Sequence, residues 1–384
     1  MIGDEYPLDS LKLPYLALFK HLFCMDGDLV QATDLDVIIE HYCSPDDPGT
    51  KAVLEMLGVR QDDDVWSFVE KNIMKKRLLQ EFTQKFAFVN GREDVGNSFS
   101  RYKEELANKG IEHDDFWMDQ ISIAKSGLTG FPVGSPYHTV ILANPEPLES
   151  DSAPMFLLKS AIIEELERSY RVFPTRQADI TARSKLETLR VFASKGISTP
   201  ATLVTASIHE GLQFVKDLHE QGMDVVIKPV TKGGGWGVSK IPAGIPDSQI
   251  MDILGKYKWW YGDGVLLLQE FIQNEKHDKR VLIIDGLIIG VERRMATLDT
   301  ESWIYNISKG ATGSRDVLDA EERQLVLDAF NATSQFFAGV DLIKGLDGQN
   351  YILEVNSTPG FKGFEQFVGF NVASFVLDYL IFFQ

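Results

Sequence analysis

The chain has 384 residues, of which 44% are hydrophobic, enough for two or three domains with a sizeable core. Its formal charge of −18 repels polyanions at long range and argues against a nucleic acid partner over most of the surface, while leaving room for a local basic pocket of the kind a nucleotide occupies. Cys24 and Cys43 make no disulfide framework, the N-terminus lacks a basic region followed by an apolar run, and no apolar stretch approaches the ~20 residues of a membrane helix; the expectation is a reduced, cytoplasmic protein with no membrane partner.

In chain order, residues 1–83 carry LPYLALFKHLF, DLDVIIEHY, TKAVLEMLGV and VWSFVEKNIMKKRLLQEF, with apolar residues at helical spacing and a turn at SPDDPG. They predict a helical N-terminal extension, read as a packing or oligomer-forming module rather than a substrate-recognition one. Residues 84–177 alternate. KFAFVN reads as a strand, SFSRYKEELANKGI as a helix ending at Gly110, FWMDQISI and TVILANP as strands, APMFLLKSAIIEELERS as a helix and RVFPT as a short strand. That alternation predicts a small open α/β domain, and the lack of GxGxxG after KFAFVN argues against a dinucleotide site. Residues 178–384 hold nearly all the chemical signals and end in ASFVLDYLIFFQ, expected to be a packed terminal helix.

Within that last part, RSKLETLRVFASKGISTP contains a helix with Gly196 as its stop. Lys185 lies near its start, where its charge opposes the helix dipole, so a phosphate or solvent must account for it. DVVIKPVTKGGGWGVSKI, Asp224 to Ile241, follows. Lys228 shares a strand face with Val226 and Val230. A lysine in so apolar a strand either reaches solvent at an edge or needs an anion. Gly233, Gly234, Gly235 and Gly237 just downstream favour the anion, because glycines let backbone N–H groups approach phosphate oxygens. Pro242, Gly244 and Pro246 leave VSKI no room for two helical turns, so the loop runs from strand to strand. A Rossmann loop opens a helix and a P-loop ends in GK[ST]; neither fits, and a hairpin flap over phosphates does. Protein kinases place their lysine after such a flap, and no HRD or DFG sequence is present.

VLLLQEFI, Val265 to Ile272, is an apolar strand interrupted by Gln269 and Glu270, where a carboxylate can accept from ribose hydroxyls or an adenine amine. AGVDLIKGLDGQNYILEVNSTPG predicts a hairpin turning at Asp347-Gly348. Asp341 and Glu354 then lie on neighbouring antiparallel strands, and Asn356 shares the face of Glu354. Two carboxylates and an amide oxygen form a hard oxygen site that suits Mg²⁺ and not zinc, the alternative being an ordinary surface hairpin.

Together, Lys185, Lys228, the glycine flap, LLQEFI, DKRVLIIDG, GVERR, GVDLI and LEVNSTPGFKGFE resemble, in order and spacing, an ATP-grasp ligase of the RimK-like branch, whose members join amino acids such as glutamate to amines or peptides. The resemblance covers about residues 178–384. It implies an α/β (α+β ATP-grasp) fold with two subdomains, preceded by a small pre-ATP-grasp domain over 84–177. It implies that Lys185 and Lys228 hold ATP phosphates, that Gly233, Gly234, Gly235 and Gly237 form the flap, and that Gln269, Glu270, Phe271 and Ile272 lie at the nucleotide. Asp341, Glu354 and Asn356 would ligate Mg²⁺, with Mn²⁺ as an alternative. Arg280, in DKR, would meet the transferred phosphoryl or acyl phosphate; Arg293 and Arg294, in GVERR, are candidates for substrate carboxylate or phosphate. In SWIYNISKGA, Asn306 matches the family, but Ile304 stands where an arginine is common and Ser308-Lys309 where His-Arg is, so the acid substrate is not fixed. The implied partners are a small-molecule carboxylate and an amine or peptide; assembly of identical copies stays open. Rival readings are an ATP-grasp phosphotransferase acting on a hydroxyl, a nucleotide-sensing module, and a peptide-modifying ligase of natural-product biosynthesis whose N-terminal extension binds a leader.

Overall fold

The computed structural model describes residues 85–91, 98–143, 153–230, 237–260, 264–296, 303, 305, 311–369 and 371–382. The predicted helical extension, both cysteines, Gly233, Gly234, Gly235 and Asn306 lie outside the described residues. Contacts divide the chain into two compact units, one of Met1–Arg176 with Gly360–Gln384, the other of Gln177–Pro359.

In the first unit, strands β1 (Lys85–Asn90), β2 (His113–Trp117), β5 (Tyr137–Ala143) and β6 (Arg171–Phe173) form a parallel sheet in the order β2-β1-β5-β6. Helices α1 (Phe99–Asn108) and α2 (Ala153–Glu167) are the crossovers, and β3 (Ser122–Ala124) pairs with β4 (Gly127–Thr129) in a small hairpin. This is the expected open α/β arrangement. KFAFVN is β1, buried at every position after Lys85, as a strand covered on both faces should be. FWMDQISI, read as one strand, is not one: β2 stops at Trp117 and a single 3₁₀ turn, Met118–Gln120, intervenes. Met118 and Ile121 are both buried, and their spacing of three is met by a helical turn where a strand would turn one of them outward. The C-terminal helices α8 (Lys362–Val368) and α9 (Val372–Phe382) pack in this unit rather than beside the strands that precede them in sequence. Arg101 of α1 pairs with Glu365 at 2.9 Å, Lys109 donates to Ser374 at 2.9 Å, and the Phe361 N–H donates to Ser98 Oγ at 2.7 Å. Phe375, Val376, Leu377 and Leu380 are fully buried, which explains the apolar tail.

The second unit begins at the second residue of α3 (Arg176–Arg183) and continues with α4 (Lys185–Lys195). Next come β7 (Thr202–Thr205), α5 (Ile208–Glu220), β8 (Val225–Lys228), β9 (Ser239–Ile241), α6 (Asp247–Trp260) and β10 (Leu266–Glu270). The four strands form an antiparallel sheet in the order β7-β10-β8-β9. VSKI is therefore a strand, paired back onto the one that carries Lys228. One face of this sheet is apolar: Val225, Ile227, Ile241, Leu266 and Leu268 pack on Val215 and Leu218 of α5 and Ile250 and Leu254 of α6.

The remainder comprises β11 (His277–Ile284), β12 (Leu287–Met295), β13 (Thr312–Arg315), α7 (Ala320–Ala332), β14 (Phe337–Lys344) and β15 (Asn350–Asn356). Its five strands form an antiparallel sheet in the order β13-β12-β11-β14-β15. Val281, Ile283, Val291, Val340 and Val355 pack on Val326, Ala329 and Phe330 of α7 and Phe192 of α4. An Asp319 and Glu322 capping box starts α7. Among the described residues no helix is long and apolar enough to cross a membrane.

Candidate active site

Each sheet of the second unit has one face covered by helices. Side chains alternate along a strand, so the polar residues between the buried apolar ones must gather on the other face. In the five-stranded sheet they do so in register. Arg315 lies opposite Glu292, Glu292 opposite Arg280, Arg280 opposite Asp341, and Asp341 opposite Glu354, one residue from each of the five strands. Asp278 and Arg294 form a second row beside them.

Asp341 is buried, and Arg280 grips it with a fork: Nε and Nη2 donate to Oδ1 and Oδ2, both at 2.8 Å. Arg294 adds a contact at 3.0 Å and forks Asp278 at 2.8 and 2.6 Å. Burial alone would raise the Asp341 carboxyl; the two guanidiniums overcome it and hold the group below the usual carboxylate range. Burial would likewise strip the proton from Arg294, but Asp341 and Asp278 keep it firmly cationic. Glu354 lies 3.9 Å from Arg280, and Asn356 Nδ2 donates to Glu354 Oε1 at 3.0 Å. Between Asp341 and Leu342 the pairing to β15 shifts register, so Leu353 is the extra residue just before Glu354.

The four-stranded sheet presents Lys228 and Gln269 on its open face. Lys228 Nζ donates to Gln269 Oε1 at 2.8 Å, and Gln269 Nε2 donates to Thr202 Oγ1 at 2.8 Å. Part of the lysine side chain stays accessible while its ammonium lies deep. Burial and then the neighbouring Lys185 lower it to about 8, against the opposing pull of Glu354 and Asp341. Lys228 thus lies within electrostatic reach of the acidic hairpin of the same unit.

Lys185 is the first residue of α4, whose N-cap Ser184 accepts from the Glu187 N–H at 3.2 Å; its own N–H reaches the Val230 carbonyl at 3.4 Å. Gly237 has φ 65°, the left-handed region that favours glycine, and its carbonyl accepts from the Tyr257 hydroxyl. Glu270 Oε2 accepts from the Ala201 N–H at 3.3 Å. The Phe271 ring lies beneath Lys240 Nζ, 4.6 Å from its centroid, and edge-to-face with Trp303. Ile272 is buried against Tyr305 and Ile343.

Arg293 and Arg294 do not act as a pair, because adjacent strand residues face opposite ways. Arg293 points to the α7 side, where it bonds Asp316 at 2.8 Å; Arg294 is buried on the charged face and committed to two carboxylates. The two candidates for substrate therefore lie on opposite faces of the sheet. Asp278 and Glu292 lie on the same face as Arg294 and are not among the residues that the sequence motifs single out. Their signal was the spacing of two to Arg280 and to Arg294, which puts each acid on the charged face.

A model of the RimK-like ATP-grasp domain matches residues 182–380. The chain belongs to the RimK-like ATP-grasp family. This RimK-like chain is 32% identical over 203 residues to the tetrahydromethanopterin:alpha-L-glutamate ligase of Methanocaldococcus jannaschii, a match spanning 52% of this chain and 66% of that relative. It is 29% identical over 201 residues to the alpha-aminoadipate–LysW ligase of Sulfolobus acidocaldarius, spanning 51% and 69% of the two chains. The solved ATP-grasp ligase PsnB, complexed with a minimal precursor, has the same fold, with a TM-score of 0.59 at 19% identity over 78% of this chain and 99% of that one. By family, its reaction class is the ATP-dependent joining of a carboxylate to an amine.

Among the described residues no group of three or more His, Cys, Asp or Glu is placed to hold a metal. Asp341, Glu354 and Asn356 are a different donor set, two carboxylates and an amide, all oxygen donors. With Asp341 held anionic and Glu354 beside it, the set fits a hard divalent ion.

Proposed function

We propose that this RimK-like protein is an ADP-forming ligase that activates an amino acid carboxylate, with L-glutamate the first candidate, and couples it to an amine on a small molecule or peptide. The observation that carries this reading is the in-register row that sets Arg280, Asp341 and Glu354 side by side on the open face of the five-stranded sheet, within electrostatic reach of Lys228.

Lys185 and Lys228 hold the ATP phosphates, and Gly233, Gly234, Gly235 and Gly237 close over them. The chain from Gln269 to Ile272 lines the nucleotide base, with Glu270 beside the ribose or adenine, and Asn306 completes the site. Asp341, Glu354 and Asn356 hold Mg²⁺, which when bound offsets phosphate charge; Mn²⁺ suits the same oxygen donors. A substrate carboxylate oxygen attacks the γ-phosphorus, ADP leaves, and an acyl phosphate forms. Arg280 lies between the acidic hairpin and the rest of the row, and turns to the transferred phosphoryl group. Arg294 positions Asp341 and, through it, the metal site. The amine then attacks the acyl carbon and phosphate departs. A cytoplasmic location would supply the ATP this reaction needs.

The test is a screen of amino acids for stimulated phosphate release from ATP, with mass detection of an amide product. Glu354→Ala should stay folded and lose ATP turnover by ~10²–10³-fold, the usual effect of removing one group that stabilises developing charge. ADP release by that variant at the wild-type rate would sink the proposed metal site; release without any amide would point to phosphotransfer instead.

A further inference from the structure

The row of charges on the five-stranded sheet runs Arg315, Glu292, Arg280, Asp341, Glu354. In the proposed reaction Asp341 and Glu354 would hold the metal with the nucleotide phosphates, and Arg280 would meet the phosphoryl group. Phosphoryl transfer is roughly in line, with attacking and leaving oxygens on opposite sides of phosphorus. The acyl group would therefore lie on the side of Arg280 away from Asp341 and Glu354, and the residue of the row on that side is Glu292.

Glu292 is 2% exposed, so bulk water does not satisfy it, and its Oε1 has no hydrogen-bond partner among the described residues. Leaving a buried carboxyl oxygen without a donor costs ~1–3 kcal/mol, so such a group calls for a partner that arrives with the ligand. The charged groups facing it are Arg294 on its own strand, Arg280 and Asp278 on β11, Asp341 on β14 and Arg315 on β13.

We propose that Glu292 binds the incoming acceptor amine and takes its proton, so that the amine subsite lies on the β12–β13 side of Arg280. The inference rests on the ligase reading above. An acceptor amine is largely an ammonium at neutral pH and has no lone pair to attack with. One N–H proton passes to Glu292 Oε1. The freed lone pair forms the C–N bond, the bond from the acyl carbon to the phosphate oxygen breaks, and phosphate leaves with that electron pair and the second N–H proton. Burial, opposed by Arg294 and Arg280, raises the Glu292 carboxyl to about 7, which suits a group that must take up a proton near neutral pH.

Hydroxylamine separates this role from a structural one. It is uncharged at neutral pH and attacks an acyl phosphate without first giving up a proton. Wild type and Glu292→Gln are compared with ATP and Mg²⁺, the amino acid found by the screen, and either hydroxylamine or the amine that wild type uses fastest among the amino acids and methylamine. The variant should form hydroxamate within a few-fold of the wild-type rate. Its amide formation should fall ~10²–10⁴-fold, the usual size of a general base contribution, and recover in part as rising pH supplies free amine. Glu292→Asp should restore part of the amide rate. Retention of both products overturns the proposal, and so does parallel loss of both, including loss through misfolding of Gln and Asp variants alike. Failure of the wild type to make hydroxamate from any amino acid overturns the ligase reading itself.

Discussion

The two sheets of the second unit solve one problem in opposite ways. Each has an apolar face under helices and an open polar face. The four-stranded sheet sets the ammonium of a half-buried lysine, Lys228, deep, with only the neutral Gln269 as its hydrogen-bonded partner among the described residues. The five-stranded sheet buries charges of both signs, forked together as Arg280–Asp341–Arg294–Asp278. A lone buried charge lowers its cost by shifting its pKa; a paired one lowers it by geometry. The first arrangement leaves an under-satisfied cation that an anionic ligand can complete. The second pairs its own four members and gives a frame flanked in register by Glu354 and Glu292.

If that contrast holds, the paired sheet should break hardest. Asp278→Ala leaves Arg294 buried with Asp341 as its one remaining carboxylate. Removing one partner of a buried ion pair costs about 3–5 kcal/mol. Urea unfolding of the second-unit transition should show that loss, and Asp278→Asn, which keeps an acceptor, should lose less. A change within about 0.5 kcal/mol, as at ordinary surface sites, would mean the frame is not held by charge pairing.

The lone lysine should behave the other way. Its folded pKa is about 8, below the ordinary lysine value of 10.5. Below about pH 8 it is charged in both folded and unfolded chains, so the cost of burying it is present in full. Between about 8 and 10.5 the unfolded chain holds a proton that the folded chain lacks, so stability contributed through this group rises with pH. Lys228→Met should therefore gain most, relative to wild type, at pH 7, and the advantage should shrink as pH passes through 8 toward 10.5. Paired unfolding midpoints at pH 7 and 9.5 check this, and a pH-independent difference would refute it. The same variant should lose ATP affinity, the expected trade between stability and a site held ready for an anion.

The parts of this site legible in the sequence depended on local pattern. The hairpin of Asp341 and Glu354 was readable because Asp347-Gly348 fixes the turn and so the pairing. The strand after the flap was readable because two prolines and a glycine shut out a helix. The forked charge network was not, since it depends on which strands neighbour each other: β11 lies between β12 and β14, and β14 arrives after α7. Arg293 and Arg294, adjacent in GVERR, end on opposite faces because the strand alternates, the first on Asp316 and the second on Asp278 and Asp341. The fate of the C-terminal tail was hidden for the same reason, because its apolarity demanded burial without saying against what.

The smallest expected effect tests where the two sheets are joined. Ser184 caps α4, and Lys185 immediately after it is tied by its backbone to Val230, two residues beyond β8. Ser184→Ala should cost about 1 kcal/mol, read as a melting temperature lower by about 2–4 °C for a unit of this size. If the cap also positions Lys185 toward phosphate, ATP affinity should fall several-fold with it. Ser184→Asp separates the two effects. Aspartate caps as well as serine, so the melting temperature should recover, but it sets a negative charge beside the lysine, so ATP affinity should stay low. Recovery of both would place the phosphates away from the start of α4, and leave Lys228 to hold them with the flap.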